Sequence, residues 1–300
     1  STATLRVAKL DAEGRVLLVN APGFGDVRAH VDERARSVLE SLDIVVYVVN
    51  CEGGVTLDER RDLDAIRALG RPVLVCLNKI DLIRTKEREG FVAASLAQLN
   101  IDAKDAVITA FDPLPQLAPE PIGVEFVIKW IGDHLAESGK TLMFAKQLRN
   151  KAAACEPLIQ QASRAASLAG ALPIPGADLA AVTAIQVKLI RDIAEVHGQP
   201  LDRDMVAFIL AELLAGGMRG FVKWGMEALK VAGWIPGGQI AEGLILAASA
   251  TVAGATTYGV GKAPVAWIQS GRSLEGDALR GVFDLAAFAW RDQKALAATK

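Results

Sequence analysis

The stretch PVLVCLNKIDL, residues 72–82, decides how the first half of the chain folds. Its apolar residues follow one another without alternation, which predicts a strand buried on both faces, as in a parallel sheet. The run then breaks off into Asn78, Lys79 and Asp81, and Leu82 resumes the apolar character. An amide, a cation and a carboxylate at one strand end indicate a strand tip that presents polar groups to a ligand.

Short apolar runs of the same kind recur through residues 1–138 and alternate with charged stretches of helical periodicity. This alternation predicts an α/β fold, a doubly wound and mostly parallel sheet. The runs LRVAKL and RVLLVN are separated only by DAEG, which predicts an antiparallel hairpin at one edge of that sheet. Further strands are expected at residues 43–50, 72–78 and 105–111.

No strand pattern returns after about residue 138, so we expect a second, all-α domain over residues 139–300. Its first segment, residues 141–170, has the periodicity of one long helix. The uncharged stretch at residues 243–261 is just long enough to span a bilayer, but Ala, Gly, Thr and Ser dominate it and gain little from lipid. The sequence of this stretch is compatible both with a buried central helix and with a helix that contacts a membrane.

The composition, 51% hydrophobic and 23% charged over 300 residues, is enough to bury one or two cores. A formal net charge of -2 gives no bulk attraction to nucleic acid, so no nucleic-acid partner is expected. The cysteines are few and odd in number, which suits reduced thiols in a cytoplasmic protein. The chain opens without Met, so we expect that it need not begin where its gene begins.

The polar groups after the strand at 72–78 are suited to a purine. The Asp81 carboxylate can accept hydrogen bonds from N1–H and the exocyclic amine of guanine, and adenine does not offer that pattern. Asn78 can brace the loop, and the aliphatic stem of Lys79 can lie over the ring. At the next strand end, Thr109 and Ala110 offer backbone N–H groups to the guanine carbonyl oxygen.

A second turn with ligand-binding character follows the strand at 15–20. The sequence there is NAPGFGD, with Asn20, Pro22 and Gly23 in succession. Proline and glycine let the backbone turn tightly, and a glycine N–H can approach a phosphate oxygen without hindrance from a Cβ atom. This turn is therefore a candidate for sensing a phosphate.

On these residues the chain resembles the translation-factor-like GTPases, close to the Era and MnmE group. NAPGFGD corresponds to the DxPG element, NKID to NKxD, and ITAF approximates SA(K/L), in the same order. The resemblance implies a P-loop GTPase-like fold, GTP or GDP as ligand, and Mg²⁺ held through water near Asn20. Thr2 or Thr4 stands where that family has its switch threonine, and a homodimer is a further implied partner.

The sequence departs from that family at three points. The phosphate-binding GxxxxGK[ST] is absent from the amino-terminal end and would have to lie in a segment upstream; a permuted copy at residues 259–265 fails, since Ala263 stands where Ser or Thr is needed. Asn20 replaces an aspartate, so magnesium would be held more weakly, or Asn20 is simply a strand-end residue. Phe24 stands where Ras-like relatives have a water-orienting glutamine, which implies slow hydrolysis, and no catalytic residue can be assigned.

The helical half resembles a bacterial domain of unknown function that follows GTPase domains and also occurs in inner-membrane proteins of the YcjF type. The match rests on PIPGAD and IPGG.

Two functions from different classes are therefore expected. One is a GTP-binding switch that regulates the helical domain, in the cytoplasm or at a membrane surface. The other is a pseudo-GTPase adaptor that binds no nucleotide.

Overall fold

The computed structural model describes residues 6–20, 41–136, 138–171, 177–214 and 238–298. The chain divides into two compact units, Ser1–Gln147 and Leu148–Lys300. The first unit is mixed α/β with a parallel sheet, and the described part of the second is helical. The predicted fold class, an α/β domain followed by an all-α domain, is confirmed.

The first unit opens with a hairpin of strands β1 (Arg6–Lys9) and β2 (Leu17–Asn20). The strands are antiparallel, as predicted, and Arg6 lies opposite Asn20. The expected position at an edge of the main sheet is wrong for the described residues, where the hairpin is a separate two-stranded sheet. Since most side chains of both strands are exposed, the hairpin does not contribute a layer to the core.

The main sheet consists of three parallel strands in the order β3 (Val45–Asn50), β4 (Val73–Asn78) and β5 (Ala106–Ile108). Helix α1 (Leu57–Arg67) joins β3 to β4, and helix α2 (Thr85–Leu99) joins β4 to β5. Helix α3 (Val124–Ala136) and the short helix α4 (Thr141–Ala145) follow. Strand and helix alternate as parallel pairing requires.

Strand β4 is buried on both faces, which explains its continuous apolar run. Val75 and Leu77 belong to one core cluster with residues of α1 and α2. Leu74 and Cys76 belong to another, with Val127 and Trp130 of α3 on the opposite face. Successive side chains of a strand alternate between faces, so a strand between two helical layers must be apolar at every position.

The helix predicted at residues 141–170 is broken in the structure. Helix α4 ends at Ala145, and helix α5 (Lys151–Gly170) begins only after Asn150, whose side-chain oxygen accepts a hydrogen bond from the Ala153 N–H, 3.1 Å. Asparagine is a strong N-cap, which accounts for the start of a new helix at Lys151. The two compact units divide after Gln147, and within the first unit the Thr141 hydroxyl of α4 donates a hydrogen bond to the Gly132 carbonyl of α3, 3.0 Å.

The second unit contains α5, α6 (Ala177–Val196), α7 (residues 203–214), α8 (Gly238–Gln269) and α9 (Gly276–Ala298). Helix α8 packs against α5, α6 and α9. Two of its glycines, Gly254 and Gly261, allow this close approach, because a Cβ atom at either would meet side chains of neighbouring helices at less than 3 Å. The stretch 243–261 lies within α8, and among the described helices none is long and apolar enough to cross a membrane.

Candidate functional site

Asn78, the last residue of β4, joins the carboxyl ends of two strands. Its side-chain oxygen accepts hydrogen bonds from the Phe111 N–H, 3.1 Å, and from the Thr109 hydroxyl, 3.3 Å. The Thr109 N–H is donated to the carbonyl of Leu77, 2.8 Å, and this bond lies just beyond the end of β5. The amide therefore fixes the start of the loop that follows β5.

Lys79 lies in the left-handed region of the backbone map, with φ 63° and ψ 34°. Its ammonium group forms an ion pair with the Glu52 carboxylate, 2.9 Å between Nζ and Oε2, and both side chains are about half exposed. The hydrogen bond from Lys79 and the charge of Lys79 lower the pKa of Glu52. Sequence reasoning missed Glu52; the available signal was Asn50, which ends β3 in register with Asn78.

Asp81 is buried, with 7% of its surface exposed, and lies in the single 3₁₀ turn Ile80–Leu82. Its Oδ2 accepts a hydrogen bond from the Leu114 N–H, 3.3 Å. The turn is anchored by Ile80, which is fully buried and donates its N–H to the Thr109 carbonyl, 3.1 Å. The carboxylate therefore stands on a turn that is fixed by the core and by the loop after β5.

The loop at residues 111–121, here called the β5 loop, is closed at its base. Ala110 and Ile122 exchange two backbone hydrogen bonds of 3.1 and 2.9 Å. Gly123 follows with φ 77°, and a Cβ atom there would lie 2.2 Å from the carbonyl oxygen of Ile108. A loop of this length with paired ends is a compact Ω-type loop, which is a common carrier of binding groups.

The predicted guanine-binding residues Asn78, Lys79, Asp81, Thr109 and Ala110 thus come together at one edge of the sheet. Thr109 and Ala110 are both buried, and their N–H groups are donated to Leu77 and Ile122. The Phe111 N–H is donated to Asn78. A base carbonyl would therefore have to exchange with one of these internal acceptors to reach an N–H at this strand end.

Of the predicted phosphate and metal residues, only Asn20 lies within the described part of the chain. Pro22, Gly23, Thr2 and Thr4 lie outside the described residues. Asn20 ends β2, is exposed, and has the cationic Arg6 opposite it in the hairpin. In the described part of the chain, no group of three or more His, Cys, Asp or Glu side chains could hold a metal ion.

A Gly-Lys-Thr triplet at residues 139–141 shares the end of the phosphate-loop pattern, and the sequence reasoning missed it. His134 stands where the first glycine of that pattern would be needed. In the structure the triplet ends helix α3: the N–H groups of Gly139 and Lys140 are donated to Ala136 and Leu135, 3.0 Å each. The Lys140 ammonium pairs with Asp43, 2.7 Å. The triplet is a helix C-cap with a glycine in the left-handed conformation.

Comparison with known proteins places these features in a family. The model of the elongation factor Tu GTP binding domain matches residues 2–209, and a domain of unknown function, DUF697, matches residues 136–283. No solved structure matches the chain.

Three curated proteins are also similar to parts of this chain. Magnetosome membrane protein 22 of Magnetospirillum gryphiswaldense is 32% identical over 43% of this chain and 66% of its own length. GTPase Der of Symbiobacterium thermophilum is 32% identical over 39% of this chain and 28% of its own length. GTPase Era of Caldanaerobacter subterraneus is 21% identical over 49% of this chain and 52% of its own length. The chain spans less than two thirds of each relative. With more than half of its residues matched, the chain belongs to the family of the elongation factor Tu GTP binding domain.

Proposed function

We propose that the chain binds a guanine nucleotide, GTP or GDP, at the carboxyl ends of β4 and β5. The observation that carries the proposal is the pair of hydrogen bonds from the β5 loop, Phe111 N–H to Asn78 and Leu114 N–H to Asp81. These bonds hold two side chains of NKID on one rigid edge before any ligand arrives. Preorganised polar groups at the carboxyl edge of a parallel sheet are the usual ligand site of such folds.

Base selectivity in this proposal comes from Asp81. An ionised carboxylate is an acceptor with about four lone-pair positions, so one bond from Leu114 leaves capacity for donors of the base. Guanine offers N1–H and an exocyclic amine on one edge, whereas adenine offers an unprotonated N1 there. A site with a buried acceptor rejects a ligand that lacks the donor, because the acceptor would lose its partners.

The proposed role is a GTPase-type switch in which the α/β unit regulates the helical unit. Mg²⁺ would accompany the nucleotide phosphates, near Asn20, Pro22, Gly23 and Thr2, as the resemblance implies. A neutral amide at residue 20 binds such an ion more weakly than a carboxylate.

The second candidate function is an adaptor that keeps the fold but binds no nucleotide. It is favoured by the internal donation of the N–H groups of Thr109, Ala110 and Phe111, and by Asn20 in place of a carboxylate. An adaptor of this kind would present the β5 loop as it stands. The two functions differ in whether the site at the carboxyl ends of β4 and β5 binds a free ligand.

Guanosine is the probe that separates the two functions, since it carries the base without phosphates. Saturation-transfer NMR with the 300-residue chain is expected to show contact with guanosine and not with adenosine at equal millimolar concentration. An Asp81→Asn variant should lose guanosine and gain xanthosine, whose carbonyl can accept from the new amide.

The control for this experiment is Asp102→Asn, which removes an exposed carboxylate of the same unit. It should leave the guanosine signal unchanged. Equal signals for guanosine and adenosine in the unaltered chain would remove the nucleotide proposal and leave the adaptor function.

Membrane contact of the helical unit is the remaining part of the proposal. It is supported by the name of one relative, a magnetosome membrane protein, and by the small-residue composition of α8. Flotation with vesicles of mixed zwitterionic and anionic lipid should carry the chain into the lipid fraction. Recovery of the chain only in the lipid-free fraction would contradict membrane contact. A homodimer, the other implied partner, is tested by light scattering with and without GDP.

A further inference from the structure

An ion pair connects the tips of the two neighbouring strands β3 and β4. Asn50 and Asn78 are register partners, so both strands end at the same level of the sheet. Glu52 follows β3 by two residues and Lys79 follows β4 by one, and their charged groups meet at 2.9 Å. The contact spans 27 positions of sequence, so it reports the fold and not local chain geometry.

Glu52 is held in place by its own turn. It lies in the 3₁₀ turn Cys51–Gly53, where the Asn50 side chain accepts a hydrogen bond from the Glu52 N–H, 3.1 Å. The preceding residue, Cys51, is buried in the core at 2% exposure. Gly54 then closes the turn with φ 71° and a hydrogen bond to the Cys51 carbonyl, 3.3 Å. The carboxylate is thus carried by a fixed turn beside the strand tip.

Lys79 has the opposite character, because a lysine side chain has four rotatable bonds. An ammonium group without a partner would occupy many positions, and ordering it when a ligand binds would cost conformational entropy. The backbone of Lys79 is already fixed, since its left-handed conformation is enclosed by hydrogen bonds of Ile80 and Leu82. The contact with Glu52 extends that order to the end of the side chain.

We infer that Glu52 is a positioning residue of the proposed guanine site, which holds the ammonium group of Lys79 so that the stem is already placed when the purine enters. The inference rests on the proposed function. Glu52 itself does not contact the ligand in this role, and it lies outside the family's sequence elements. Its effect on affinity is that of an exposed ion pair, roughly 2- to 5-fold.

The test is a double-mutant cycle on guanosine affinity with Glu52→Gln, Lys79→Gln and the double variant. Glu52→Gln should weaken guanosine binding roughly 2- to 5-fold. In the double variant the Glu52 change should add nothing to the loss from Lys79→Gln, because its partner is gone. Raising salt from about 0.15 M to about 1 M should bring the unaltered chain and Glu52→Gln closer together, since the Debye length falls to about 3 Å.

Asp102→Asn is the matched control. Asp102 forms an exposed pair with Lys104 in the same unit, and its substitution changes the net charge by the same amount as Glu52→Gln. The thermal midpoints of Glu52→Gln and Asp102→Asn should agree, which separates positioning from a general loss of stability. Lysine side-chain NMR of the ligand-free chain should show greater mobility of the Lys79 ammonium group in Glu52→Gln only.

The outcomes distinguish the inference from the proposal beneath it. If the unaltered chain does not prefer guanosine to adenosine, the proposed function fails and the inference fails with it. If the unaltered chain prefers guanosine but Glu52→Gln binds it equally well or more tightly, the proposed function stands and the positioning role is overturned.

Discussion

The side-chain oxygen of Asn78 lies 3.1 Å from the backbone nitrogen of Phe111, which is 33 positions further along the chain. One amide therefore ties the end of β4 to the loop that follows β5. The same loop returns three residues later to donate the Leu114 N–H to Asp81. The edge of the sheet and the β5 loop thus hold each other in place, and changes in either are expected to disturb the other.

Asn78→Ala should weaken the contact between the end of β4 and the β5 loop, and should also weaken guanosine binding. The change removes the acceptor of the Phe111 N–H and of the Thr109 hydroxyl. Phe111 is exposed and its N–H can turn to water, so we expect a loss of about 1 kcal/mol in unfolding free energy. Asn78→Asp keeps the acceptor oxygen and should retain most of that stability. Equal thermal midpoints for the unaltered chain and the alanine variant would contradict a tie through Asn78.

The base of the β5 loop gives a prediction about Gly123. Both Gly123 and Gly70 have a positive φ, so alanine at either costs about 1–2 kcal/mol in the left-handed conformation. Only at Gly123 would the new Cβ atom also meet a backbone oxygen, at 2.2 Å, whereas the space around Gly70 is open. Gly123→Ala should therefore destabilise the α/β unit by about 1–3 kcal/mol more than Gly70→Ala. Denaturant unfolding measures the difference when it is followed by intrinsic fluorescence, in which Trp130 reports on the α/β unit beside the four tryptophans of the helical unit. Equal losses would show that backbone strain alone acts.

The sequence predicts the sheet well where burial dictates residue type. Strand β4 is a continuous apolar run because helices cover both faces, and the polar residues at its end mark the edge where β5 also ends. Glu52 could not be found in this way. A single glutamate in a turn carries no periodic signal, and only the register of Asn50 with Asn78 brings it to Lys79.

The break between α4 and α5 shows the same limit for helices. Residues 141–170 keep a helical pattern of apolar side chains, and nothing in that pattern marks where one helix ends. Asn150 begins a new helix at Lys151 because its side-chain oxygen, and not a backbone carbonyl, accepts the Ala153 N–H. The hairpin was predicted as a pair of strands but placed wrongly, since its own sequence does not specify which other strand it would join.

Close helix packing in the second unit predicts opposite effects for two glycines. In α8, a Cβ atom at Gly254 would lie 2.1 Å from the Ser167 hydroxyl and 2.4 Å from the Trp290 ring. In α9, a Cβ atom at Gly281 would meet nothing within 4 Å. Gly281→Ala should therefore stabilise the chain by about 0.5–1 kcal/mol through helix propensity, and Gly254→Ala should destabilise it by about 1–3 kcal/mol. Thermal unfolding followed by circular dichroism decides this, and a gain in stability for both would contradict the packing of α8.

The partly buried Glu156 gives a pH-dependent prediction for the helical unit. Its carboxylate pairs with Lys262, 2.6 Å, and accepts hydrogen bonds from Tyr258 and Gln160, 2.9 Å each. Burial by itself would raise the pKa of Glu156, but the bonds from Lys262, Gln160 and Tyr258 outweigh burial and hold that pKa below its ordinary value of 4.5. A carboxyl group with a lowered pKa in the folded state stabilises the fold above about pH 4.5.

That stabilisation should be lost as the pH falls from about 4.5 through the folded-state pKa of Glu156, because protonation then removes the charge that the three donors bind. Glu156→Gln should lower the unfolding free energy at neutral pH by on the order of 1 kcal/mol, allowing for the partly exposed Lys262. The gap between the unaltered chain and the variant should narrow as the pH is lowered from 6 towards about 3. Glu275→Gln, a change at an exposed glutamate of the same unit, is the control and should track the unaltered chain. A gap that stays constant with pH would mean that Glu156 acts through its shape and not through its charge.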